Sequence, residues 1–424
     1  MNAFPCRPVA AHPAASPRVA RGVWPRVSVH LPLRDAPPEL VRRTLDSLAD
    51  LDYPALEVLV VDTNTAQPAL WEAAAEHCAR LGPPFRFFHL GPWPGGRPGA
   101  LNFALGETAP DATLVGVLKA GQVVRPGWLR RMVPMFRQPG LGLAQGALAP
   151  LEPAPDHFVG QERPDPLLPL DGLPLFRAEA LRRTGGWDTE SLCPEASLGL
   201  TLLRQGWDTL WEDEPMGHAR PPQGMEDWPA RRHRRAAGIM AALRRHSWAL
   251  LRRDRSLTPG QWRHLLGLAA PMAADALALS GACASLAVAA RALWQDDPVA
   301  PPPLLLPLLL AVAMVPLLRG WRQGWPAALG HAAGIWGIGR AAWQGVLGGA
   351  SAGASGHRME RALLAALWAA SLAIALARPW SLAETVGWSG LLLVQSLPGL
   401  AALAVRPARP PGQPGIAPFR RHTA

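Results

Sequence analysis

Two stretches of the chain hold side chains whose type and placement could do chemistry. In Leu56–Thr65 the apolar run Val58–Val61 stops at Asp62 and passes into the polar Thr63-Asn64-Thr65. A carboxylate at the carboxyl end of a buried parallel strand is where an open α/β sheet gathers its ligand chemistry. The same side chain could instead cap the helix that starts near Pro68, and the spacing leaves both readings open. The second stretch is Arg231-Arg232-His233-Arg234-Arg235. Its guanidinium groups suit phosphate oxygens. They equally suit a basic amphipathic helix lying on a membrane surface.

Asp62 can be placed only by the elements around it. Val27–Pro32 reads as a first strand, followed by the turn Arg34–Pro38 and a helix with apolar Leu40, Val41, Leu45 and Leu48. Phe85–Leu90 and Leu114–Leu118 read as third and fourth strands with helical segments between. This alternation predicts a mostly parallel sheet covered on both faces. Leu143–Pro174, dense in Pro, Asp and Glu and poor in periodicity, reads as a long irregular region. Order returns with a helix Ala178–Arg183, the turn Thr184–Trp187, a helix Glu195–Gln205 stopped by Gly206 and a short strand Trp207–Glu212. The basic block then opens a helix that runs to Leu251.

Charge is unevenly spread. Of 424 residues 49% are apolar and 17% charged, and the last third is nearly devoid of acids while rich in Leu, Ala and Trp. That asymmetry predicts an α/β domain followed by an α-helical transmembrane domain. Leu265–Ala290, Pro303–Leu318, Ala362–Ala377 and Val386–Val405 read as four spans, and Trp325–Leu347, with His331, Arg340 and many glycines, as an interfacial helix. With four crossings the basic loops at Arg252–Arg263, Arg319–Arg322 and His357–Arg361 and the tail from Arg406 all fall on the cytoplasmic side. Residues 1–25, rich in Pro, Ala and Arg without a signal-peptide pattern, read as a disordered leader. The expected division is 1–25 leader, 26–255 cytoplasmic domain, 256–405 transmembrane domain and 406–424 cytoplasmic tail.

The net charge of +10 rests on arginine, since Lys119 is the sole lysine. Without a nucleic-acid module pattern this charge fits lipid headgroups or a phosphorylated substrate, not nucleic acid. The four cysteines, Cys6, Cys78, Cys193 and Cys283, have neither disulfide nor zinc spacing.

Thr44–Thr65, Glu76–Leu90, Gly99–Leu105 and Leu391–Leu403 carry a resemblance, over roughly Val27–Leu403, to the membrane-bound family 2 glycosyltransferases of the cellulose synthase type. The resemblance implies a GT-A (nucleotide-diphospho-sugar transferase-like) α/β domain on the cytoplasmic side of the inner (cytoplasmic) membrane, attached to a multi-pass helical domain. It also implies transfer from a UDP-sugar to a glycan acceptor, with Mg²⁺ or Mn²⁺ held by an Asp-x-Asp pair. Asp62 matches the aspartate that contacts uridine, and Gly99-Ala100-Leu101-Asn102 the glycine turn near the nucleotide. Arg97 stands where the family has lysine.

Three motifs depart from the family. The metal pair is replaced by Lys119-Ala120-Gly121, so no cofactor is assigned. The Thr-Glu-Asp base motif reads Cys193-Pro194-Glu195, leaving Glu195 as the candidate base. Gln-x-x-Arg-Trp reads Arg231-Arg232-His233-Arg234-Arg235, which keeps Arg234 and puts arginine, Arg231 and Arg235, for Gln and for the stacking Trp. The nucleotide-sugar set implied is Asp62, Arg97, Gly99, Asn102, Lys119, Arg231 and Arg234. Two functions follow as expectations: a transferase in which fixed cations replace the metal, or a catalytically impaired partner of an active synthase subunit. An anionic-lipid-binding membrane protein without a nucleotide role is the third class.

Overall fold

A computed structural model describes residues 24–151, 165–170, 172–219, 227–251, 257–295, 325–347, 356–376 and 381–404. Strand β1, Arg26–Leu33, is buried along most of its length, with apolar Val27, Val29 and Leu31 on one face and Ser28 and His30 on the other. Burial on both faces marks a central strand. Helix α1, Pro38–Ala49, and helix α2, Pro68–Leu81, each begin with a proline in the first turn, where the missing N–H costs nothing. Val41, Leu45 and Leu48 fall on one face of α1 and join the core under β1, β2 (Leu56–Asp62) and β4 (Ala112–Val117). Strand β3 is Phe85–His89 and helix α3 is Gly96–Glu107.

Eight strands form one sheet in the order β3-β2-β1-β4-β7-β6-β8-β5, with β5 Gln122–Val124, β6 Leu141–Pro150, β7 Leu173–Arg177 and β8 Asp208–Ala219. The half β3-β2-β1-β4 is parallel, and its register aligns Leu33, Asp62 and His89 along one edge. β1 is followed by β2 on one side and paired with β4 on the other, so the order reverses there and a crevice opens at the carboxyl ends of the strands. The other half is mixed: β7 is antiparallel to β4 and β6, β5 is antiparallel to β8, and β6 is parallel to β8.

Two expectations are corrected in that half. The region from Leu143 begins inside β6, a ten-residue strand and no loop. Its residues are small because neighbours fill the space: a Cβ on Gly142 would meet Trp207, and one on Gly146 would meet Met216. Trp207–Glu212 extends as β8 to Ala219. Short helices α4, Trp128–Met132, α5, Ala178–Arg183, and α6, Pro194–Arg204, cover the sheet, with a 3-10 turn at Val133–Arg137.

Helix α7, Asp227–Leu251, buries Ala236, Ala237, Ile239 and Ala242 and packs on α6 and on α9, Trp325–Leu347. Protein, rather than lipid, covers this apolar stripe. Helix α8, Pro259–Gln295, is 37 residues long and, among the described residues, the one helix long and apolar enough to cross a membrane. At 1.5 Å per residue it measures about 55 Å. Helices α10, Gly356–Leu376, α11, Leu382–Gln395, and α12, Leu397–Ala404, complete the described part. The expected span Val386–Val405 is thus two helices meeting at Ser396, ahead of Pro398, and Val405 lies outside the described residues. Pro303–Leu318, the leader up to residue 23 and the tail from 406 lie outside them as well.

Small residues let α9 approach its neighbours at backbone distance. A Cβ on Gly339 would overlap the Asp275 carbonyl of α8, and one on Gly345 the Ala237 carbonyl of α7. The glycines of Trp325–Leu347 therefore serve packing against two helices.

Candidate functional site

The crevice at the ends of β1 and β4 holds a cavity of about 660 Å³. Leu33 and Arg34 reach it from the end of β1, Lys119 from the end of β4 and Arg97 from the first turn of α3, while Glu195 opens α6 and Arg234 and Arg235 come from α7. Among the described residues that line it, Arg34, Arg97, Lys119, Arg234 and Arg235 accompany a single carboxylate, Glu195. Such an excess of positive charge in a concave wall concentrates anions.

Local sequence explains each placement. β4 ends at Val117, and Gly121, with φ of 88°, turns the chain back so that the Gln122 side chain accepts the Lys119 N–H at 2.8 Å. Lys119 Nζ lies 3.5 Å from the carbonyl of Leu170. Pro194 starts α6, which puts Glu195 in its first turn, where the helix dipole favours a negative charge. A Cβ on Gly238 would overlap Cys193, so α7 can seat directly on the start of α6 and bring Arg234 and Arg235 to the cavity one turn earlier.

Arg97 and Glu195 form an ion pair. Burial by itself would raise the Glu195 pKa, but the charges of Arg97 and Lys119 outweigh it and hold the carboxyl below the usual range. The neighbouring Cys193 thiol moves the other way, pushed up to about 12 by burial and then by Glu195. Glu195 is thus a carboxylate at neutral pH, and Cys193 a neutral thiol.

The remaining expected residues lie beside the cavity. Asp62, 2% exposed, accepts from Thr65 Oγ1 at 2.7 Å and lies 2.9 Å from His89 Nδ1, whose ring stacks on Trp71. It does not cap α2, whose N-cap residue is Gln67. Its neighbour Thr63 lines the cavity. Asn102 does not line it: its amide exchanges two hydrogen bonds of 2.8 Å with the backbone of Trp187, clasping α3 to the turn before α6. Gly99 is buried where a Cβ would overlap the Pro94 carbonyl. Arg231 lies in α7, and its side chain is outside the described residues.

Arg34, Arg235, Cys193 and Leu170 line the cavity without having been singled out as binding residues. Arg34 could have been found as the first residue past the first strand. Leu170 belongs to the Pro-rich region and gave no signal.

The donor set does not fit the divalent metal that the family resemblance implies. Among the described residues Glu195 is the one carboxylate on the wall and is engaged by Arg97, and no group of three His, Cys, Asp or Glu side chains there could hold a metal ion.

Residues 28–198 match the profile of "Glycosyl transferase family 2", and residues 173–318 that of "Glycosyl transferase family group 2". "Putative cellulose synthase 2" and "Putative cellulose synthase 3" of Komagataeibacter xylinus are each 26% identical over 255 residues, which is 52% of this chain and 16% of either relative. Two solved structures follow the chain loosely. The mannosyltransferase PcManGT from Pyrobaculum calidifontis, in complex with GDP-Man and Mn²⁺, is 18% identical with a TM-score of 0.47, covering 92% of this chain and 90% of its own. S. aureus TarS 1-349 in complex with UDP-GlcNAc is 13% identical with a TM-score of 0.40, covering 76% of this chain and 92% of its own. On the two profiles and the cellulose synthase relatives, the chain belongs to the family 2 glycosyltransferases, of the cellulose synthase type.

Proposed function

We propose that the cavity holds a UDP-sugar by its diphosphate and passes the sugar to a glycan acceptor, with fixed cations in the place of a metal. The observation that carries this reading is that, among the described lining residues, Arg34, Arg97, Lys119, Arg234 and Arg235 outnumber the one carboxylate, Glu195. In the transfer, an acceptor hydroxyl oxygen bonds to the anomeric carbon while the bond from that carbon to the diphosphate oxygen breaks. The electron pair leaves with UDP, where preorganised cations oppose the growing charge. The hydroxyl proton passes to Glu195. An incoming diphosphate competes with Glu195 for Arg97 and so releases the carboxylate it will need. Thr63 on the cavity wall and Asp62 behind it are read as the uridine end of the site, the role that the family resemblance implies for Asp62.

The protein is read as a multi-pass protein of the cytoplasmic membrane with residues 26–255 on the cytoplasmic side. The length and apolar character of α8 support this, as does the distribution of basic loops. A specific observation favours a second reading, the impaired partner of an active synthase: the candidate base is already tied into an ion pair with Arg97.

Release of UDP from a panel of UDP-sugars, by purified full-length protein in detergent with and without Mn²⁺, separates the two. Metal-independent release that disappears in Glu195→Ala is the expected result. No release above that variant, from a protein that still binds UDP, would establish the partner reading. Absence of UDP binding would remove both and leave lipid contact as the role of the charge.

A further inference from the structure

The segment 165–170 runs from the start of α8 to the wall of the cavity. Asp165 at its head is 5% exposed, and both oxygens of its carboxylate are engaged. Oδ1 accepts the backbone N–H groups of Leu167 and Leu168, each at 2.9 Å, which winds the chain into a tight turn. Oδ2 lies 3.0 Å from His264 Nε2 of α8, and since a carboxylate only accepts, the ring donates. The Asp165 carbonyl accepts from Gln145 Nε2 of β6 at 3.2 Å. A buried carboxylate needs such donors, so turn and imidazole are fixed together.

The helix end that carries His264 is itself held. Gln261 Oε1 accepts the Thr258 N–H at 2.8 Å, and Thr258 Oγ1 accepts the Gln261 N–H at 3.2 Å, a reciprocal cap on α8. Pro259 takes the first helical position, where its ring suits the backbone. His264 stands one residue before Leu265, where the span is expected to begin. Leu265 is buried in one apolar cluster with Leu167, Leu168 and Leu170.

The far end of the segment reaches the site. A Cβ on Gly199 would come within 2.9 Å of Leu168 and Pro169, so the chain lies directly on α6, the helix that Glu195 opens. The Leu170 N–H donates to the Leu168 carbonyl at 2.8 Å, which carries the turn on to the wall. Leu170 lines the cavity, and its carbonyl lies 3.5 Å from Lys119 Nζ. We propose that His264 is a positioning residue for the transfer reaction: through Asp165 it holds the segment on α6, and so sets where Leu170 and the Lys119 ammonium stand on the wall that receives the diphosphate. The proposal rests on the donor reading of the cavity given above. A pair that served stability alone would leave donor affinity untouched.

Full-length protein in detergent would be titrated with UDP in a calorimeter as wild type, His264→Ala, His264→Gln, Lys119→Ala and the His264→Ala, Lys119→Ala double variant. His264→Ala leaves room for water to reach Asp165, so the tether is lost without stranding the carboxylate. It is expected to raise the UDP dissociation constant about threefold to tenfold while the near-ultraviolet circular dichroism stays that of a folded protein. His264→Gln, whose amide still donates, should return affinity to within about twofold of wild type. The double variant should bind no more weakly than Lys119→Ala alone, because both changes act on one group. Unchanged affinity in a folded His264→Ala protein, equal losses with alanine and glutamine, or losses that add in the double variant would each overturn the proposal. A Lys119→Ala protein that binds UDP as tightly as wild type would overturn the donor reading itself, and the proposal with it.

Discussion

The two edges of the main cavity treat a carboxylate in opposite ways. At the end of β2, Asp62 is buried and met by a hydroxyl and an imidazole. At the start of α6, Glu195 is met by the guanidinium of Arg97, with further cations around it. The first edge is closed on itself through short-range bonds within the parallel half of the sheet. The second is assembled from α3, β4, α6 and α7, and among its described lining residues cations outnumber carboxylates. The second edge alone depends on elements far apart in the chain meeting in space.

The largest effect is expected where that assembly is seated. Gly238→Val drives a side chain into Cys193 and should cost about 3 kcal/mol or more, as overpacking does, seen as a lowered melting temperature together with lost UDP binding. If melting is unchanged, α7 is not what holds the second edge. Asp62→Ala tests the first edge: stranding Thr65 and His89 should cost about 2 kcal/mol in denaturant midpoint and abolish UDP binding.

Acid separates the edges by pH window. His30, buried in β1 with Nε2 2.9 Å from Thr108 Oγ1, has its pKa lowered to about 3 by burial. The unfolded chain takes up the proton from about pH 6.5 downward while the folded protein refuses it, so stability falls with acidification, by about 2 kcal/mol between pH 7.5 and pH 5. His30→Leu should flatten that slope in pH-dependent unfolding. Glu195 acts in a lower window: its pKa is depressed in the folded state, so its contribution is present above the ordinary glutamate value of about 4.5 and is lost as pH falls through the folded pKa. A stability curve without loss between pH 6.5 and pH 5 would contradict the account of His30.

The smallest change in stability is expected from Lys119→Ala, within about 0.5 kcal/mol because the side chain is exposed. Its UDP dissociation constant should nevertheless rise about tenfold. Equal affinity in calorimetry would remove Lys119 from the second edge.

The parallel half was legible because its signals are local. Val58–Val61 is one apolar run, and Pro38 and Pro68 mark where α1 and α2 begin. β6 was hidden because Gly142, Gln145 and Gly146 resemble a loop, and the reason for them, Trp207 and Met216 filling the adjacent space, lies on another strand. The same limit governs the site. Glu195 and Arg97 were nameable one at a time through resemblance, but nothing local reveals that residues 98 positions apart form an ion pair. Nor does any pattern announce that Asn102 spends its amide on the Trp187 backbone.

Helix α9 touches α7 through Gly345 and α8 through Gly339, in each case backbone against backbone. Contacts of that kind have no rotamers to absorb motion, so the three helices behave as meshed gears rather than as parts joined by springs. A tilt of α8 must therefore be repaid by movement of α7, and α7 is the helix that carries Arg234 and Arg235. A displacement of α8, the longest helix among the described residues, would reach the cations of the cavity by leverage alone.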